Sequence, residues 1–141
     1  MKSKEQIIEK SNRHAAKYTC FLGGKLVDID TKKNACTYEY NISKDYCHSI
    51  DVVQGGFITA MLDTAMSQPL IVAHPDMTHM SSLEIKTNYL EPTRAGKLRV
   101  EGCVIKNNYP IIFMEGRIYN EDNVLTATAS SVGKIKISTK Q

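Results

Sequence analysis

Asp63 is the only formally charged side chain between Val52 and Pro75, and it lies inside an apolar run, Phe57-Ile58-Thr59-Ala60-Met61-Leu62-Asp63-Thr64-Ala65-Met66, that opens at Gln54-Gly55-Gly56. An ionised carboxylate removed from water without partners is costly and tends to take up a proton instead. A carboxylate in such a setting suits a general base or a nucleophile, because its apolar surroundings raise its basicity. A second reading is structural: the side chain reaches a cap, an arginine or solvent from a partly exposed edge. The run alone leaves both open. Other chemistries find less support. Cys20, Cys36, Cys47 and Cys103 show no CxxC spacing and read as small buried hydrophobes, and His14, His48, His74 and His79 form neither an HExxH pair nor a Cys/His cluster. No metal and no other cofactor is expected.

The elements that must position Asp63 follow from periodicity. Ser3 with Gln6 resembles a capping box, and Ile7, Ile8, Ser11 and Ala15 share one face of a helix expected over Lys4 to Lys17. A short strand is expected from Phe21 to Asp28, broken by Gly23-Gly24. A hairpin through Asp30 to Asn34 then leads to a second strand, in which Cys36, Tyr38, Tyr40 and Ile42 alternate with polar residues. After a loop from Ser43 to Val53 comes the Asp63 helix, apolar on nearly every side and therefore a core element. Pro69 is expected to kink or end it, since proline lacks an N–H and collides with the carbonyl of Ala65. Beyond Met80 the period becomes two. Leu83, Ile85, Thr87 and Tyr89 are expected on one face of a strand, with Ser82, Glu84, Lys86 and Asn88 on the other. Turns at Pro92–Gly96, Asn107–Pro110 and Asn120–Asn123 separate three further strands, the last from Val124 to Ile137, so that an antiparallel meander of four strands closes the chain.

Length and composition set the remaining bounds. The 141 residues, 42% hydrophobic and 23% charged, suit one α+β domain over 1–141, with no linker-like composition shift. A net charge of +3 with scattered basic residues argues against a nucleic-acid partner, and no apolar stretch reads as long enough for a membrane span. The polar N-terminus, without an apolar signal core, leads to the expectation of a cytoplasmic protein. A helix apolar all round needs cover on the side the sheet does not reach, and a second copy of the chain is the most economical cover. A homodimer is expected.

Over residues 34 to 137 the sequence resembles the hotdog-fold acyl-CoA thioesterases, in the branch of the phenylacetate-pathway thioesterases and thioesterase superfamily member 2. The residues that carry the resemblance are Gly55-Gly56, Leu62-Asp63-Thr64-Ala65-Met66, Leu83-Glu84-Ile85-Lys86-Thr87-Asn88-Tyr89-Leu90-Glu91-Pro92 and Gly96-Lys97-Leu98, in that order. The resemblance implies an antiparallel sheet wrapped around one long buried helix, dimers that often pair into tetramers, and acyl-CoA bound at the subunit interface. It also implies residue roles. Gly56 is the backbone N–H donor that polarises the thioester carbonyl, which accords with the unpaired N–H groups and positive dipole end of a helix start. Asp63, supplied by the partner subunit, is nucleophile or general base. Ser82 places the attacking water near that carboxylate, or is an ordinary strand hydroxyl.

Two positions depart from the family pattern. Where the family commonly has His-Gly-Gly, this chain has Gln54-Gly55-Gly56, which keeps a donor and an acceptor but loses a titrating ring. His48 stands where an asparagine is usual, and is either a hydrogen-bonding neighbour of Asp63 or a loop residue without a role. For the CoA phosphates the resemblance points to the turn after Lys106, with Lys106, Asn107 and Asn108 as candidates and Arg94 and Lys97 behind them. Phe57, Met61, Met66 and Tyr89 are candidates for the acyl pocket. The implied activity is hydrolysis of an acyl-CoA to a carboxylic acid and free CoA. A non-catalytic acyl-CoA sensor is the alternative.

Overall fold

The computed structural model describes residues 1–139. Helix α1 spans Lys4–Arg13 and begins with the expected capping box: the Gln6 N–H donates to Ser3 Oγ at 3.2 Å and the Ser3 N–H to Gln6 Oε1 at 2.9 Å. It stops short of Lys17. Asn12 is drawn onto the first strand, its amide donating to the Leu26 carbonyl at 2.9 Å and accepting from the Leu26 N–H at 2.8 Å. The chain then turns through Ala15-Ala16 into a separate short helix, α2, Lys17–Phe21. Phe21, expected to open a strand, therefore ends a helix. Gly23 makes the exit at φ +80°, where a Cβ would stand 2.3 Å from the Asn41 carbonyl oxygen, and strand β1 runs Gly24–Asp30.

Strands β2 (Ala35–Ile42), β3 (Met77–Tyr89), β4 (Gly96–Asn108), β5 (Ile111–Tyr119) and β6 (Leu125–Ile137) complete one antiparallel sheet in the order β1-β2-β4-β5-β6-β3. The expected four-strand meander is thus a meander of three, β4 to β6. Strand β3 lies at the far edge beside β6, because the chain crosses the sheet as helix α3, Gly55–Ala73, before forming it. The sheet curls around α3, burying Ile58, Met61, Leu62, Ala65, Met66 and Leu70 against Tyr38, Tyr40, Val100, Ile112 and Ile118. This is the hotdog arrangement. Met61 and Met66, expected as candidates for the acyl pocket, are wholly buried in the core.

Pro69 does not end α3, which continues one further turn and reaches 19 residues, long and apolar enough to span a membrane by length and composition alone. Half of that apolar stretch is buried inside the fold, so α3 is a core helix. The freed carbonyl explains how the proline is tolerated. Pro69 cannot donate to the Ala65 oxygen, and the Cys36 thiol donates to it at 3.1 Å. Burial pushes the Cys36 thiol well above its usual range, which keeps it protonated and able to donate. Gln68, also buried, accepts from the Tyr38 hydroxyl at 3.1 Å and donates to Ser11 Oγ at 3.0 Å, tying α1 to α3. Cys36→Ala should cost about 1–3 kcal/mol of stability, the penalty of a buried unpaired carbonyl, measured by urea unfolding.

Candidate active site

Asp63 lies on α3 and is half-buried. Its partner is Ser82 on β3, whose hydroxyl donates to Oδ1 at 3.1 Å. Burial raises the carboxyl pKa above the ordinary range, and the Ser82 hydrogen bond, which favours the ionised form, works against that rise. The alternation expected for this strand put Ser82 on the face away from Thr87 and Tyr89, and that expectation fails. A bulge interrupts the β3–β6 register: Ser82 pairs with Gly133 and Glu84 with Val132, leaving Leu83 without a counterpart. The extra residue inverts the side-chain parity, so that Ser82 faces α3 together with Thr87 and Tyr89, while Leu83 is 57% exposed. The bulge is what makes the Asp63–Ser82 pair.

Gly56 stands at the other end of the site. Gln54 caps α3, and its side-chain oxygen accepts from the Gly56 N–H at 2.8 Å. The amide carbonyl of Gln54 therefore occupies the acceptor position at that donor. His48, Gln54 and Gly56 line one open cleft of about 500 Å³ together with Tyr89, Leu90 and Pro92. His48 is exposed, its backbone N–H donating to the Val52 carbonyl at 3.1 Å, and it makes no side-chain contact with Asp63. Asp63 is not part of that cleft. Seven residues of helix separate it from Gly56, roughly 10 Å of axial rise, too far for both groups of one chain to act on one carbonyl.

The candidates for CoA also divide between the two ends of α3. Arg94 lies near the Gly56 end, paired with Asp51 at 2.6 Å. Lys106, Asn107 and Asn108 end β4 at the opposite pole, where Asn107 Nδ2 lies 3.4 Å from Nε2 of His74, just past α3. Ten residues of β4, from Gly96 to Lys106, span up to about 33 Å, so one chain cannot bring Arg94, just before that strand, and Lys106 to one phosphate.

Several neighbours escaped the sequence reading. Tyr18 of α2 meets Thr64, next to Asp63, with the two hydroxyl oxygens 3.1 Å apart, and Tyr46 packs edge-on to Phe57 at 5.0 Å while donating to the Phe21 carbonyl. These contacts join segments 46, 11 and 25 residues apart, and no local spacing announces them.

With this geometry in view, the comparisons with known proteins decide the family. The model of the thioesterase superfamily matches residues 51–127, a span that holds Gln54, Gly56, Asp63 and Ser82. The chain belongs to the thioesterase superfamily. Among solved structures, a phenylacetic acid degradation-related protein from Ralstonia eutropha JMP134, named as a thioesterase, superposes with a TM-score of 0.82 at 22% identity, covering 91% of this chain and 98% of the other. A thioesterase from Haemophilus influenzae gives 0.81 at 17% identity over 100% of this chain and 95% of its own. At these identities the superpositions speak to fold. A protein of Saccharolobus solfataricus named as an esterase is 25% identical over 122 residues, 86% of this chain and 85% of that one. Family membership supports a hydrolase of the thioesterase type.

Ser82→Ala should move the acid limb of the kcat/KM profile of this thioesterase to higher pH, because the carboxylate loses a hydrogen bond that favours its ionised form. A pH-rate series on both proteins checks this. Asp63→Asn should leave the melting temperature equal or higher at neutral pH. A carboxyl whose folded pKa is raised destabilises the native state above that pKa, and the amide carries no such charge.

Proposed function

We propose that this protein is an acyl-CoA thioesterase whose active site is shared between two copies of the chain, with Asp63 of one facing the Gly56 N–H of the other. The observation that carries the reading is the separation on α3: a half-buried, basicity-raised carboxylate with a hydroxyl partner, and a capped N–H donor two helical turns away. Each is half of a thioester-hydrolysing site. Two antiparallel α3 helices, related by a twofold axis, would set each half against its complement.

The surfaces available for pairing support the dimer. Strand β3 lies at the edge of the sheet with its outer backbone groups unpaired, over 13 residues, and natural proteins rarely leave so long an edge uncovered. Phe57 and Ile71 of α3 and Leu83 of β3 are exposed beside it. In such a pair the Lys106–Asn108 pole of one chain approaches the Gly56 end of the other, and with it the Arg94 of that second chain, giving a composite cationic mouth for the CoA phosphates. Further pairing into a dimer of dimers is the assembly the family resemblance implies.

In the reaction, ionised Asp63 either takes a proton from water, which attacks the thioester carbon, or attacks that carbon itself before water releases the acyl group. The carbonyl oxygen becomes an oxyanion held by the Gly56 N–H, the C–S bond breaks, and CoA leaves as a thiolate that takes up a proton. The products are a carboxylic acid and CoA. The second reading is an acyl-CoA sensor that binds without turnover, a role that the departures from the family pattern at Gln54 and His48 would suit.

Release of free CoA thiol across short, medium, long and aromatic acyl-CoAs separates the two readings. Asp63→Asn should lower turnover on the best substrate by about a hundredfold or more, the scale of losing a positioned base or nucleophile, while acyl-CoA binding persists. Equal rates in the two proteins would remove Asp63 from the site, and tight binding without hydrolysis in both would establish the sensor. The shared site has its own test. Equal amounts of Asp63→Asn and Gly56→Pro chains, each inactive alone, should recover about a quarter of wild-type activity on unfolding and refolding together, since random pairing makes half the dimers mixed and each mixed dimer holds one intact site. An active monomer in light scattering would overturn the dimer.

A further inference from the structure

Tyr89 is 55% exposed near the end of an edge strand, yet its hydroxyl is fully engaged. It donates to the Gly55 carbonyl at 2.9 Å and lies 3.2 Å from Thr59 Oγ1, which in turn lies 2.8 Å from Thr87 Oγ1. Each of these hydroxyls carries one hydrogen. Tyr89 gives its own to Gly55, so Thr59 must donate to Tyr89, and Thr87 must then donate to Thr59. The protons run one way, from Thr87 through Thr59 and Tyr89 onto the Gly55 oxygen.

That oxygen belongs to the same peptide unit as the Gly56 N–H. A trans peptide is planar with its C=O and N–H pointing in opposite directions, so a group that holds the oxygen also aims the hydrogen. Hydrogen bonds in series polarise one another, and one accepted at the carbonyl draws electron density from the nitrogen and makes the N–H a stronger donor. The glycine at position 55 fits this arrangement, since a Cβ there would come within 3.0 Å of the Tyr89 hydroxyl oxygen. The Tyr89 ring lines the same cleft as Gly56.

We propose that Tyr89, backed by Thr59 and Thr87, is a positioning residue that orients and polarises the Gly55–Gly56 peptide so that its N–H meets the developing oxyanion. The proposal rests on the reading of Gly56 as the oxyanion donor. Tyr89 touches no reacting atom in this scheme and acts through the backbone.

Tyr89→Phe keeps the ring and removes the hydroxyl. In the full-length protein, the Gly56 amide proton should move upfield in a two-dimensional NMR spectrum, with the melting temperature nearly unchanged. On the best acyl-CoA substrate kcat should fall by about tenfold with KM within about twofold, a fraction of the roughly hundredfold or greater cost of losing an oxyanion donor outright. Thr59→Val should move both readouts in the same direction by less. An unmoved Gly56 resonance, an unchanged kcat, or a rise in KM alone would overturn the proposal. The resonance decides independently of turnover: should the wild-type protein hydrolyse nothing, the thioesterase reading fails while the relay onto the Gly56 peptide is still confirmed or refuted by the spectrum.

Discussion

The depth at which α3 sits on the sheet governs everything else in this protein. Gly102 of β4 and Gly116 of β5 are paired across the strands and form a trough beneath the helix. A Cβ on Gly102 would lie 2.1 Å from the Ala65 carbonyl oxygen, and one on Gly116 would meet Leu62 and Met66 at 3.1 Å. No side chain other than hydrogen lets the backbone of α3 come so close. Ala65 is thereby turned onto the sheet, and Asp63, two residues earlier and about 200° around the axis, is turned toward the open side. The same proximity puts the carbonyl freed by Pro69 within reach of the Cys36 thiol. Aim of the carboxylate and tolerance of the proline are two results of one close contact.

The sheet covers one side of α3 and leaves the other as a lengthwise stripe through Phe57, Ala60, Asp63, Thr64, Ser67 and Ile71. Two walls flank it. On one side Tyr18 of α2 reaches Thr64 and Tyr46 packs on Phe57, and on the other Ser82, Thr87 and Tyr89 of β3 bond to α3 residues. Polar groups on the stripe are thus held by side chains from both directions before any ligand arrives, which is the preorganisation that electrostatic catalysis requires. Several of those bonds run between hydroxyls of Thr and Tyr, side chains with few rotamers, so the geometry costs little conformational entropy to maintain.

How much of this could be read from the chain depended on whether the signal was local. The long apolar helix, the lone carboxylate in it and the alternating strands are properties of neighbouring residues, and they appeared where spacing and composition put them. Strand order was not local: the place of β3 beside β6 is settled by where α3 releases the chain. Ser82 was named as a neighbour of Asp63 through the family resemblance, while simple alternation turned it the wrong way, because one unpaired residue at Leu83 inverts the pattern and leaves no mark in composition. Pro69 was expected to kink or end α3, and the helix runs on past it to Ala73, helped by a compensating donor, Cys36, that lies 33 residues earlier on another element. The roles of Tyr89 and Thr59 were invisible for a related reason: a hydroxyl reveals its direction of donation only once its neighbours are fixed.

The cap on α3 has an implication for ligand selectivity. In the proposed site, a neutral carbonyl arriving at the Gly56 N–H would displace the amide oxygen of Gln54, itself a neutral carbonyl and a good acceptor, so the exchange would bring little net gain. An oxygen bearing negative charge gains more from the same exchange, because charge-assisted hydrogen bonds are about twice as strong as neutral ones. An internal competitor of this kind cancels affinity for ground-state ligands and preserves it for charged, tetrahedral ones. Inhibitors that imitate the starting carbonyl should therefore be weak on this scaffold, and anionic mimics of the tetrahedral species are the better starting point.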